Sequence, residues 1–190
     1  MSFDAEKFES LWKLKPEGKS EVYVYNKETK VHDEKQIFRS YRSYLLIPPL
    51  NKDLPKSYMH DGVEPSVPNQ LLPYLKEAWF DDDRYNQMVI NWYEPEDYIE
   101  SHRDCDNYMV DDYLIRIVSL DEGTPRKIVF KGVVTRDIME AVPSEALPIY
   151  ISQATNRNYR HSVGPGDGRR ISITFRMLDE KKIEAKIVSI

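Results

Sequence analysis

At 190 residues, 41% of them hydrophobic and 12% aromatic, the chain has the length and composition of one folded domain, which excludes an intrinsically disordered protein. No apolar run approaches the roughly 18 residues of a membrane-spanning helix, and the acidic start, MSFDAEKFES, lacks the apolar stretch of a secretory signal. One cysteine, Cys105, excludes an internal disulfide, and the net charge of −5 excludes a uniformly basic surface, so the expectation is an intracellular monomer with no membrane partner.

In chain order, Ser2 to Leu14 reads as a short helix capped by Ser2, with Phe8, Leu11 and Trp12 on one side. Val22 to Tyr25 and Ile37 to Ile47 read as strands. Asn51 to Pro68 is a proline-bearing loop, and Gln70 to Phe80 spaces Leu71, Leu72, Leu75 and Trp79 as an amphipathic helix does. Strands then dominate: Gln87 to Tyr93, Leu114 to Leu120, Lys127 to Lys131, Leu147 to Gln153, Arg160 to Val163, Arg170 to Met177 and Ile183 to Ile190. Turn signals such as Asp121-Glu122-Gly123 and Gly164-Pro165-Gly166-Asp167-Gly168 separate them. The pattern predicts a mainly β, α+β protein, a sandwich or barrel with helices and loops before it. No repeat and no domain boundary interrupts it.

Four short motifs carry chemistry. In RRISITFR, alternate residues Arg170, Ser172, Thr174 and Arg176 share one polar face, while Ile171, Ile173 and Phe175 share the other. Such a face either meets water or lines a cavity for a small anion, since arginine offers carboxylates a rigid donor fork. His102-Arg103-Asp104 puts an imidazole and a carboxylate on one side of an extended segment, as a hydrogen-bonded pair or as two ligands of a 2-His-1-carboxylate metal site. His161, in YRHSV, either completes such a site or is a core histidine held by backbone. Asn91 and Tyr93, in NWY, alternate with Ile90 and Trp92 and need partners if they point inward. The charge is also uneven: Ala154 to Arg176 holds five arginines and one acid, Asp167.

Taken in order, N-x-Y, H-x-D, a distant H and R-x-S-x-T-x-R resemble the AlkB family of iron(II)- and 2-oxoglutarate-dependent dioxygenases. YNQMVINWYEPEDYIESHRDCD and NYRHSVGPGDGRRISITFR carry the tightest match, with IVSLDEGTPRKIVF between them and FRSYRSY and YMHDG before them. The resemblance implies a double-stranded β-helix, or jelly roll. A catalytic core over 86–177 would follow N-terminal helices and a nucleotide-recognition lid over 1–80, all within a single domain over 1–190. It implies that His102, Asp104 and His161 hold iron(II). It also implies that Arg170, helped by Tyr93, meets the distal carboxylate of 2-oxoglutarate, with Asn91 and Arg176 near the carboxylate beside the metal. Ser172 and Thr174 would line the pocket between, and O2 is the second co-substrate. The chain departs from the family at Ser172, usually Asn, and at Glu96, often Gly.

Within the family, the nucleobase-repair branch extends the motif to H-x-D-x-(D/E), matched here by Asp106. By the same resemblance, Arg126 is a basic residue near the pocket, and Tyr58 and His60 contact a flipped base. The implied reaction is oxidative demethylation of N-alkylated nucleobases, such as 1-methyladenine or 3-methylcytosine, in DNA or RNA. A protein or small-molecule hydroxylase on the same core is the alternative, and the sequence pI of ≈ 5.5 suits it. A basic groove built from Arg39, Arg42, Arg157, Arg160 and Arg169 would favour nucleic acid.

Overall fold

The computed structural model describes residues 3–25, 28–30, 32–45, 82 and 84–187. The expected loop Asn51 to Pro68 and helix Gln70 to Phe80, with Tyr58 and His60, lie outside these residues. Among the described residues, no helix is long and apolar enough to cross a membrane.

Three antiparallel sheets and three short helices make up the described protein, so it is mainly β. Helix α1 (Ala5–Trp12) comes first, then strands β1 (Glu21–Tyr25) and β2 (His32–Gln36), which form a two-stranded ribbon. A five-stranded sheet runs β3 (Ser40–Leu45), β4 (Gln87–Tyr93), β11 (Arg170–Arg176), β6 (Leu114–Asp121), β9 (Ile149–Ser152). A four-stranded sheet runs β5 (Ile99–His102), β10 (Tyr159–Val163), β7 (Ile128–Gly132), β8 (Ile138–Ala141). Helix α2 (Gln153–Asn158) leads into β10, and α3 (Glu180–Ile187) follows β11.

The five-stranded sheet is covered on both sides, which explains why all seven residues of β4 are buried. Met88, Ile90 and Trp92 of β4 pair with Phe175, Ile173 and Ile171 of β11, and these join Phe8 and Leu11 of α1 in one core. The second core lies between the two large sheets. Ile115, Ile117 and Ile151 from one meet Ile128, Phe130 and Val163 from the other.

Asp4, not Ser2, caps α1: its carboxylate accepts from the Lys7 amide at 3.0 Å. At the far end the buried Trp92 indole donates at 3.0 Å to the Leu11 carbonyl, which also accepts from the Leu14 amide at 3.1 Å. Arg169 straps α1 down from outside, its guanidinium 4.9 Å from the Trp12 ring centre and paired with Glu9 and Glu122. Trp92→Ala therefore costs about 3–5 kcal/mol, read as a lowered denaturant midpoint. A loss below about 1 kcal/mol would mean that α1 does not depend on this contact.

Two expected elements differ. The segment expected as one strand, Ile37 to Ile47, begins only at Ser40, because Ser20 bonds the Ile37 amide and the Arg39 carbonyl while the chain passes from the β1 ribbon to β4. The expected C-terminal strand Ile183 to Ile190 is the helix α3 as far as Ile187. Asp179 accepts from the amides of Lys181 and Lys182 at 3.0 and 3.4 Å, an N-cap that starts a run of good helix formers and buries Ile183. Three strands without a clear alternating signal, β2, β5 and β8, are additional.

Candidate metal centre and anion pocket

Antiparallel pairing of β10 with β5 sets His161 directly opposite His102, with ring centres 4.2 Å apart. Asp104 follows two residues after His102, where the chain leaves β5. One ligand atom from each of these three side chains lies within 4.8 Å of the others. Two nitrogens and a carboxylate oxygen converging this closely form a donor set for a divalent transition metal.

The protonation pattern suits that use. His102 Nδ1 lies 2.8 Å from the Glu100 carbonyl, which can only accept, so the proton sits on Nδ1 and the Nε2 lone pair is left for a metal. Burial lowers the His102 pKa, and burial also pushes His161 down to about 4, against the pull of Asp104. Both rings are therefore neutral near pH 7 and can act as ligands. Burial alone would raise the Asp104 carboxyl, but Arg176, His161 and His102 outweigh it and hold that carboxyl well below the usual range. Asp104 accepts a hydrogen bond from Arg176 Nη2, and its other oxygen lies 3.5 Å from His161 Nε2.

A side chain not anticipated from the sequence fixes the Asp104 loop. Asn156, buried on α2, accepts from the Asp104 amide and donates to the Asp104 carbonyl, both at 3.0 Å. It also lies 2.7 Å from the Tyr113 hydroxyl. One amide thus joins the loop carrying Asp104 to the helix that leads into the His161 strand. Partners of this kind set ligand orientation and cost about 10–100-fold in metal affinity when removed. Asn156→Ala should show that loss in a metal titration while far-ultraviolet circular dichroism stays native. Unchanged affinity would reduce Asn156 to a loop tie.

Three of the four residues of the β11 polar face, all but Arg170, line a cavity of about 280 Å³, which His102, Asp104 and His161 also border. Ser172, Thr174, Arg176, Asn91 and Tyr93 contribute to its wall, as does Arg39, whose Nε donates to Asn91 Oδ1 at 2.8 Å. Arg170 stands behind Tyr93, its guanidinium 5.8 Å from that ring centre. It is fully buried. Its Nη1 donates to the Arg126 carbonyl at 2.9 Å, whereas Nε and Nη2 have no hydrogen-bond partner among the described residues. The nearest carboxylate, Asp121, is 3.9 Å from Nε, and burial raises its pKa. Buried donors without acceptors are rare in folded proteins and call for an explanation.

The residues expected at a substrate surface separate. Asp106 is half-buried on the rim of a neighbouring cleft and accepts from Arg157 Nε at 3.2 Å. Arg126 is buried away from the cavity wall. Its fork donates to the carbonyls of Asp97, Glu94 and Gly168, and Gly166 packs so closely that a Cβ there would sit 2.4 Å from Arg126 Nε. Arg126 thus organises loops and, through its own carbonyl, orients Arg170. Of the arginines expected in one basic groove, Arg39 lines the cavity, Arg157 and Arg160 line the cleft, and Arg169 binds α1.

No protein-family model matches the chain, and neither does any curated protein. Solved structures similar to it include an oxidoreductase of the 2OG-Fe(II) oxygenase family from Burkholderia pseudomallei, at 20% identity and a TM-score of 0.38, with 48% of this chain and 43% of that one covered. Another is the capsular polysaccharide assembling protein CapF from Staphylococcus aureus, at 15% identity and a TM-score of 0.34, with 50% and 24% covered. The chain spans less than half the length of either, and likenesses of this size decide nothing about its activity.

Proposed function

We propose that this protein is an iron(II)- and 2-oxoglutarate-dependent oxygenase that demethylates N-alkylated nucleobases in DNA or RNA. The observation that carries the oxygenase reading is the presence of two features around one cavity. The His102, Asp104, His161 donor set, with Asp104 and His161 buried, borders the cavity, and a buried Arg170 with two nitrogens unbonded among the described residues stands behind Tyr93 of its wall. Two neutral imidazoles and one carboxylate suit iron(II), leaving coordination positions open. Arg170, with Tyr93 beside it, suits the distal carboxylate of an elongated dianion, and Arg176 and Asn91 suit the end nearer the metal. The strand orders β4-β11-β6-β9 and β5-β10-β7-β8, packed over a shared core, support a jelly roll.

When bound, iron(II) with 2-oxoglutarate and O2 supplies oxidation of a C–H bond, yielding succinate and CO2, and formaldehyde from an N-methyl group. The chain's own part is to orient. His102 is fixed by the Glu100 carbonyl, the Asp104 loop by Asn156, and Arg170 by the Arg126 carbonyl. For the substrate, the supporting residue is Asp106, an acceptor two residues beyond Asp104 on the rim, suited to the exocyclic amine of adenine or cytosine.

The test is aerobic incubation of the protein with iron(II), 2-oxoglutarate and a single-stranded oligonucleotide carrying 3-methylcytosine or 1-methyladenine. Mass spectrometry follows the methyl group, with His102→Ala as control. Loss of the methyl with wild type alone is expected. Succinate without methyl loss would move the substrate to a protein or small molecule, the reading that the net charge of −5 favours. Asp106→Ala should slow methyl loss about 10-fold or more, the weight of a hydrogen bond to a reacting base at about 1–3 kcal/mol, while sparing succinate formed without substrate. An equal fall in both would remove Asp106 as a base reader.

A further inference from the structure

A second cleft, of about 560 Å³, adjoins the cavity and shares His102, Arg103, Asp104 and Cys105 with it. Three exposed arginines line it: Arg103, Arg157 and Arg160. Each is steadied at one point. Arg103 Nη1 donates to the Arg157 carbonyl at 3.1 Å, Arg160 Nη2 to the Ser101 carbonyl at 2.7 Å, and Arg157 Nε to Asp106 at 3.2 Å. A guanidinium has five N–H donors, so most of each fork stays open.

What sets these cations apart is the nature of their anchors. Several anchored cations elsewhere are neutralised by carboxylates: Arg169 by Glu9 and Glu122, Arg84 by Asp82, Lys127 by Glu140 and Lys182 by Asp111. Arg103 and Arg160 are held by carbonyl oxygens, which fix the side chain and, among the described residues, leave its charge without a carboxylate. The other acid lining the cleft, Asp104, is buried and already paired with Arg176. A chain that is acidic as a whole therefore presents positioned, unspent positive charge next to its candidate metal centre. Planar donor forks recognise phosphate oxygens by paired hydrogen bonds.

We infer that this cleft binds the phosphodiester backbone of a single-stranded nucleic acid, with Arg103 and Arg160 as phosphate contacts. The inference rests on the nucleobase reading and adds to it the path of the strand past the site. Arg157, tethered to Asp106, couples that path to the residue proposed to read the base.

The test is fluorescence anisotropy of a labelled, unmodified single-stranded DNA oligonucleotide, titrated at several salt concentrations. The proteins compared are wild type, Arg103→Ala/Arg160→Ala, and Arg84→Ala as an exposed control. All the changes lie at exposed side chains outside the cores. The double variant should bind at least about 10-fold more weakly. Its log–log salt slope should be shallower by about 1.4, at about 0.7 per phosphate contact on a single strand, with Arg84→Ala unchanged. Wild-type affinity and slope in the double variant would overturn the cleft while leaving the nucleobase reading intact. A wild-type protein that forms succinate yet binds no oligonucleotide would overturn both. Displacement of the oligonucleotide by polyglutamate at equal charge concentration would assign the cleft to an acidic protein and overturn the inference.

Discussion

Arg170→Met raises the 2-oxoglutarate concentration needed for half-maximal succinate formation about 100-fold and leaves iron(II) affinity within about 2-fold of wild type. A bonded charge pair inside a protein loses about 2–5 kcal/mol when one partner is truncated, and 100-fold is about 2.7 kcal/mol of that. Methionine fills similar volume without charge, so the substitution probes the ion and not a hole. Arg170 lies outside the metal-ligand cluster, which is why the metal should be spared. Stability provides an independent check. Arg170 is fully buried with two nitrogens unbonded among the described residues, and an apolar replacement for an imperfectly paired buried ion is often neutral or stabilising. Asp121, whose pKa burial already raises, can take up a proton and keep its contact with Ser119. The ligand-free variant should therefore melt no lower than wild type. Unaltered dependence on 2-oxoglutarate would refute the carboxylate assignment.

Asp104→Asn lowers iron(II) affinity by more than about 100-fold, since partners that merely orient ligands are worth about 10–100-fold and Asp104 carries the one negative charge of the donor set. The amide keeps an oxygen for Arg176, and the backbone bonds from Asn156 do not involve the altered group. The fold should hold, as circular dichroism would register. An Asp104→Asn protein that binds iron(II) like wild type would remove Asp104 from the metal site.

The parts of this arrangement legible in the sequence are those that strand periodicity controls. Alternation in RISITFR divides Ile171, Ile173 and Phe175 from Ser172, Thr174 and Arg176, and the register places them on α1 and on the cavity respectively. The same rule in NWY gives Asn91 and Tyr93 to the cavity and Trp92 to the core. Two histidines far apart in the chain become neighbours through one antiparallel register, which spacing alone does not contain. Asn156 was hidden for a different reason. It acts on backbone atoms of Asp104 from a six-residue helix whose first residue reads as the end of a strand, and contacts to backbone leave no pattern in side chains. Arg126 misled in the opposite direction. A basic residue near a pocket motif suggests a ligand contact, yet three carbonyls of neighbouring loops take its donors. Ile183 invites a strand reading of the α3 segment, while the signal that decides is the Asp179 cap just before it.

The histidine–aspartate cluster and Arg170 are proposed to hold one ligand between them. Calorimetric titration of 2-oxoglutarate into the protein under argon, with and without iron(II), tests it most directly. One equivalent should bind, at least about 10-fold more tightly with iron(II), with the gain lost in Asp104→Asn and binding weakened in Arg170→Met. Binding of 2-oxoglutarate that ignores iron(II), or that survives Arg170→Met unchanged, would contradict it.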